Sequence, residues 1–212
     1  MKMLVLADIH GEELVLEKFL ERKKKAGKEY EIVLIAGDTT NNSTSFMVEL
    51  MEIFPSAYII PGNNESQNVV EVMQKAKNYA HEKRFELKDG YNICGFGFSN
   101  PTPFHTPGEM KDDEIYSRLS KMNIDEKTIL LVHAPPSGHL DFVRGAHVGS
   151  VAIAKIIEEK RPLMVFCGHL HEVIGIEKFG KTTVVNVPAA EYGRYCTVEM
   201  NEHGFSVQFK DI

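Results

Sequence analysis

Leu4-Val5-Leu6-Ala7-Asp8-Ile9-His10-Gly11 is an apolar run of strand length that stops abruptly in a carboxylate, an imidazole and a glycine. The same design recurs along the chain. Ile32 to Ala36 stops at Gly37-Asp38, Tyr58 to Ile60 at Pro61-Gly62-Asn63-Asn64, Thr128 to Val132 at His133-Ala134-Pro135-Pro136, and Leu163 to Cys167 at Gly168-His169-Leu170-His171. Short apolar runs bounded by turn signals read as strands buried on both faces.

Amphipathic helices lie between these strands. Val15 with Phe19 and Leu16 with Leu20 stand at i,i+4 ahead of a stop at Gly27, and the Lys23-Lys24-Lys25 cluster reads as a solvated last turn. Phe46, Leu50, Ile53 and Phe54 share a face after a cap at Asn42 or Ser43 and before Pro55. Val69, Met73, Ala76 and Ala80 mark another helix, Ile115, Leu119 and Met122 a short one, and Ser150 to Lys160 a last one with Ile153, Ile156 and Ile157 inward. Tyr91 to Phe98 is a strand whose glycines at 95 and 97 predict close backbone approach, followed by the irregular, proline-rich segment 99–108. From Thr182 onward the helical period disappears. Thr183–Val187, Tyr195–Met200 and Phe205–Phe209 read as strands, with turns at Glu191-Tyr192-Gly193 and Asn201–Gly204. Strands alternating with helices predict an α/β fold.

The chain has 212 residues, 43% hydrophobic and 25% charged, which suits one globular domain over 1–212. Lys and Arg number 24 against 30 Asp and Glu, a net charge of −6 that argues against an extensive nucleic-acid or acidic-membrane surface. No run approaches the ~20 apolar residues of a membrane span, and the N-terminal run meets Asp8 too soon for a signal peptide, so a cytoplasmic location is expected. Cys94, Cys167 and Cys196 lack C-x-x-C spacing and read as core residues.

Side chains at strand ends carry the chemistry. Asp8, His10, Asp38, Asn63, His133, His169 and His171 all follow the carboxyl ends of buried strands, where α/β sheets gather ligands. Residues i and i+2 in extended chain point to one side, which would pair Asp8 with His10 and His169 with His171. Carboxylate, amide oxygen and imidazole together suit borderline to hard divalent ions such as Mn, Fe or Zn. Seven donors exceed one tetrahedral ion, so two ions sharing one carboxylate is the economical arrangement.

The ordered set D-x-H, G-D, G-N, H and G-H-x-H resembles the calcineurin-like metallophosphoesterase superfamily, and His133-Ala-Pro-Pro, Gly145-Ala-His147-Val-Gly-Ser and Cys167-Gly-His-Leu-His-Glu look like its small Icc-related prokaryotic members. The resemblance implies an αββα sandwich of two mixed sheets flanked by helices. Asp8, His10 and His171 would hold one ion, Asn63, His133 and His169 the other, and Asp38 would bridge. Manganese leads the expectation, with iron, zinc, nickel or magnesium as alternatives. The implied chemistry is attack of a hydroxide bridging the two ions, in line on phosphorus. The substrate would be a small phosphorylated molecule or phosphodiester, and an oligomer stays open.

Many relatives place a His after the Asn of the G-N motif, where it serves the leaving oxygen. This chain has Asn64, so His105 in the proline-rich loop or His139 is the candidate substitute, and Asn63, Asn64, His105 and His139 form the expected catalytic set. Asp141 and Glu172 could orient imidazoles, and Arg144 could grip a phosphate oxygen. The alternative is a non-catalytic scaffold on the same fold. A nuclease would need a basic groove, and the H-x-H-x-D-H signature of metallo-β-lactamases is absent. Gly175 to Thr182 spells the phosphate-loop pattern G-x-x-x-x-G-K-[ST], but it leads into the strand-like Thr-Val-Val-Asn-Val and reads as a hairpin turn at Phe179-Gly180-Lys181.

Overall fold

The computed structural model describes residues 1–26 and 29–212. The helix stop at Gly27 and the Lys23-Lys24-Lys25 side chains lie outside the described residues. In chain order the strands are β1 (Lys2–Leu6), β2 (Ile32–Ile35), β3 (Tyr58–Ile59), β4 (Asn78–Tyr79), β5 (Lys83–Glu86), β6 (Asn92–Phe96), β7 (Thr128–Val132), β8 (Phe142–Val143), β9 (Ala146–His147), β10 (Met164–Cys167), β11 (Gly175–Phe179), β12 (Thr182–Asn186), β13 (Arg194–Asn201) and β14 (Gly204–Asp211). The helices are α1 (Glu13–Ala26), α2 (Thr44–Ile53), α3 (Gln67–Met73), α4 (Asp112–Leu119) and α5 (Val151–Lys160).

Two six-stranded sheets face each other, in the orders β14-β13-β1-β2-β3-β4 and β11-β12-β10-β7-β6-β5, while β8 and β9 form a separate small hairpin. Each large sheet is mixed. β1, β2, β3 and β4 run parallel, β13 pairs antiparallel with β1 and β14 antiparallel with β13, and β6, β7, β10 and β12 run parallel between antiparallel edges.

The alternation of side chains along a strand explains why its whole run is apolar. Met3 and Val5 of β1 point between the sheets, where they join Leu34, Ile129, Leu131, Met164, Phe166 and Val185. Leu4 and Leu6 point the other way, under Phe19 of α1 and Met47 and Leu50 of α2. The second sheet repeats this, with Cys94, Phe96, Leu130 and Val165 packed beneath α4 and α5. A fully buried Leu, Ile or Phe contributes roughly 1.5–3 kcal/mol, so the αββα layering rests on three cores rather than one. Ser43 caps α2 by accepting from the Phe46 N–H at 3.2 Å, and Ser150 caps α5 by accepting from the Ile153 N–H at 3.2 Å.

Two local expectations are corrected and a third is borne out. α3 ends at Met73, and Ala76 and Ala80 lie beyond it. The Ala80 N–H donates to the Ile59 carbonyl at 2.8 Å, because pairing of β4 along β3 outcompetes one more helical turn. β5 and the β8–β9 hairpin add strands with no clear alternation in the sequence. The phosphate-loop look-alike is the β11–β12 hairpin, with Gly180 at φ +59° in its turn.

His81 sits where β4 leaves the first sheet for the second. Its Nδ1 accepts from the Gly97 N–H at 2.9 Å, and its ring packs against Phe96 and Phe98. Burial, helped by the charge of Arg118, lowers its pKa from 6.5 to about 4. The folded chain therefore prefers neutral His81, and the unfolded chain binds the extra proton between these values. The contribution is complete above pH 6.5 and is lost as pH falls towards 4, about 2 kcal/mol by pH 5. Urea unfolding in EDTA at pH 7.5 and pH 5 should show the gap between wild type and His81→Gln narrowing by that amount at the lower pH; a constant gap would contradict it.

Candidate metal centre

The parallel strands of both sheets deliver their carboxyl ends to one place. There the backbone turns sharply. Asp8, His10, Asp38 and His169 all take left-handed conformations, with φ of +53°, +48°, +49° and +71°. Such conformations cost of order 1–3 kcal/mol each in non-glycine residues and persist only where surrounding structure holds them. Backbone lacing does so here. Asp8 N–H donates to the Gly37 carbonyl at 3.1 Å, His10 N–H to the Asp38 carbonyl at 3.0 Å and Gly11 N–H to the Thr39 carbonyl at 3.1 Å.

Two groups of donors result. Asp8, His10 and His171 form one, and Asp38, His133 and His169 the other, with the donor atoms of each group all within 4.8 Å of one another. Asn63 joins the second group, its Oδ1 lying 2.8 Å from His133 Nε2. The two oxygens of Asp38 part between them: Oδ1 is 3.4 Å from His133 Nε2, and Oδ2 is 3.9 Å from His10 Nε2. The i,i+2 expectation that His169 pairs with His171 does not hold. The two rings go to different groups, as the resemblance implies.

Two glycines make the approach possible. A Cβ on Gly62 would stand 2.1 Å from Asp38 Oδ1, and one on Gly168 would stand 2.3 Å from Asp8 Oδ2. Any larger residue would push a carboxylate away from its group.

The electrostatics fit divalent cations. Asp8 and Asp38 are 1% and 2% exposed, and among the described residues their ion pairs are with imidazoles, which give up their protons when they bind a cation and so leave two buried carboxylates for it to neutralise. Burial alone would raise the Asp38 pKa, but the neighbouring His133 holds it well below the carboxylate range. The same contact outweighs burial at His133 and raises it to about 9. Burial, reinforced by that charge, lowers His169 to about 4, while the Asp8 carboxylate raises His171. The oxygen and imidazole donors match borderline metals, and the buried Cys167 thiol is pushed above its ordinary range by desolvation, as expected of a core residue.

Four residues with no motif signal complete the site. Glu65, 1% exposed, ties the G-D and G-N turns together: Oε2 accepts from the N–H groups of Gly62 at 2.6 Å and Asp38 at 3.2 Å, and Oε1 from the Thr39 N–H at 2.5 Å and its hydroxyl at 2.8 Å. Thr106 accepts from Asn63 Nδ2 at 3.0 Å, which turns the amide oxygen towards His133. The Thr106 hydroxyl donates in turn to Glu109 at 2.8 Å. Glu191 stands beside His171. The only sequence signal for Glu65 is its place two positions after Asn63 of the G-N motif.

The other expected residues are placed as follows. Asn64 donates to Asp38 through its N–H at 2.9 Å and through its side chain. His105 is exposed on the 99–108 loop, next to Thr106. His139 lies at the sheet edge, 2.7 Å from Glu177 and stacked on Phe179, outside both donor groups. Asp141 does orient an imidazole, but that of His147, at 2.6 Å. Glu172 and Arg144 are exposed.

A family model described as metallophosphoesterase, calcineurin superfamily, matches residues 57–210. The chain is 32% identical over 209 residues to an uncharacterized protein of Methanocaldococcus jannaschii, covering 93% of this chain and 92% of that one. Its fold is similar to that of a dimetal phosphatase from Danio rerio, with a TM-score of 0.68 at 10% identity, covering 100% of this chain and 96% of that one. It is also similar to that of an archaeal phosphodiesterase, with a TM-score of 0.57 at 14% identity, covering 99% and 100%. No helix among the described residues is long and apolar enough to cross a membrane.

Proposed function

This chain belongs to the calcineurin superfamily of metallophosphoesterases, and from that premise we propose that it hydrolyses phosphodiesters or small phosphorylated molecules with two divalent ions, manganese foremost. Asp8, His10 and His171 hold one ion, Asn63, His133 and His169 the other, and Asp38 serves both. One observation carries this reading: the Asp38 carboxylate turns one oxygen towards each donor group. The ions, when bound, place positive charge against phosphate oxygens and lower the pKa of water at the site.

The chain's own residues supply the rest. Glu65 holds the G-D and G-N turns in register, Thr106 fixes the face of Asn63, and Asn64 braces Asp38. Asn64 has no acidic proton to donate, so a poor leaving group needs another acid. His105 fills that role better than His139. The loop that carries it reaches Asn63 through Thr106, whereas His139 is committed to Glu177 and Phe179.

The test compares Mn²⁺-dependent hydrolysis of bis(p-nitrophenyl) phosphate, p-nitrophenyl phosphate and an alkyl diester. The diester with the good leaving group is expected to turn over fastest. His105→Ala is expected to slow the alkyl diester by about 10²-fold or more. Wild-type rates on that substrate in both His105→Ala and His139→Ala would remove both residues from the acid role. A chain that neither binds metal nor cleaves any of the three would return the fold to the scaffold reading.

A further inference from the structure

Glu191 lies outside both donor groups, in a stretch that reads from the sequence as a plain turn, yet its carboxylate meets a donor. Its Oε1 is 3.0 Å from His171 Nδ1. The other ring nitrogen, Nε2, is 3.5 Å from Asp8 Oδ1 and so faces the first donor group. Backbone contacts set this placement. Ala7 and Ala189 form a parallel bridge, the Ala190 N–H donates to the Ala7 carbonyl at 2.8 Å, and the Glu191 N–H donates to the Asp8 carbonyl at 3.1 Å. The short turn Ala190–Tyr192 is thereby stapled to the strand end that carries Asp8, and Gly193, at φ +72°, then returns the chain into β13. Tyr192 flanks the same imidazole, with ring centroids 5.9 Å apart.

A neutral imidazole carries its proton on either nitrogen, and only the bare nitrogen can bind a cation. A carboxylate against Nδ1 decides the matter: it accepts a hydrogen bond from Nδ1–H, which keeps the proton on Nδ1, leaves Nε2 bare and stops the ring from swinging. We propose that Glu191 is a positioning residue that fixes the tautomer and orientation of His171 for a divalent ion. The inference rests on the reading of His171 as a ligand. Partners of this kind are typically worth 10–100-fold in metal affinity. Because the Glu191 side chain is 25% exposed, orientation rather than charge carries most of the effect.

Mn²⁺ binding to the full chain, followed by the electron paramagnetic resonance of free Mn²⁺, tests this in wild type, Glu191→Ala, Glu191→Gln and His171→Ala. Melting in EDTA reports on the fold of each variant. Glu191→Ala is expected to bind one ion about 10–100-fold more weakly while melting close to wild type, and Glu191→Gln, whose amide oxygen still accepts from Nδ1, to recover most of the loss. Wild-type affinity in Glu191→Ala beside impaired binding in His171→Ala overturns the proposal. Loss of one whole ion in both Glu191 variants also overturns it, because Glu191 would then be a direct ligand. Wild-type affinity for both ions in His171→Ala would instead overturn the assignment of His171 beneath it.

Discussion

Asp38→Ala is expected to lower kcat/KM on bis(p-nitrophenyl) phosphate by about 10³-fold or more, and to bind fewer than two ions. Residues that only orient a ligand are worth 10–100-fold. Asp38 does more, since it sends one oxygen to His133 at 3.4 Å and the other to the side of His10 at 3.9 Å. A 10³-fold loss is about 4 kcal/mol of transition-state stabilisation. The metal-free chain should be destabilised as well. The Asp38 carboxylate holds the buried His133 protonated, with a pKa raised to about 9, and removing one partner of such a buried pair typically costs about 3–5 kcal/mol. Asp38→Asn keeps the shape and a carbonyl for Asn64 to bond, and separates the loss of charge from the loss of packing. A variant that retained a tenth of wild-type activity with two ions bound would remove Asp38 from the bridging position.

The second large effect is at a residue that belongs to neither donor group. Glu65→Gln is expected to cost about 3 kcal/mol, a fall in Tm of about 10 °C in EDTA, together with a 10–100-fold loss of activity. Both carboxylate oxygens of Glu65 accept from two donors: Gly62 N–H and Asp38 N–H on one, the Thr39 N–H and hydroxyl on the other. Whichever way the glutamine amide is turned, its NH₂ group faces a backbone N–H that has lost its acceptor. Those N–H groups belong to the turns that carry Asp38 and Asn63, so the cost in stability and the cost in activity share one origin. Thermal melts and kcat/KM measured together check this. A melt within about 2 °C of wild type would show that the clasp does not hold the turns.

The strand ends are legible in the sequence because five apolar runs, buried on both faces, stop at once in Asp, Asn or His. That pattern is local. It marks Asp8, Asp38, Asn63, His133 and the His169–His171 pair as candidate donors without any knowledge of the sheet. What it cannot report is anything decided by backbone from a distant segment. Glu65 looks like an ordinary acid before a helix, and only the folded chain brings Asp38 and Thr39, 26 or more positions away, to its oxygens. Glu191 looks like a turn residue until β1 and the Ala190–Tyr192 turn are laced together. The split of His169 from His171 follows from the ordered motif set, whereas i,i+2 spacing alone would pair them. Ala76 and Ala80 continue a helical period that strand pairing beside β3 overrides. His139 shows the converse: its place among motif residues suggests chemistry, but Glu177 and Phe179 hold it at the sheet edge.

The most direct measurement is a Mn²⁺ titration of the EDTA-treated, dialysed chain, following hydrolysis of bis(p-nitrophenyl) phosphate while counting bound ions by elemental analysis. Hydrolysis that is absent at the start and reaches its plateau at two ions per chain is the predicted result. Hydrolysis that persists without metal, or two tightly bound ions with no cleavage of this diester or of p-nitrophenyl phosphate, would contradict it.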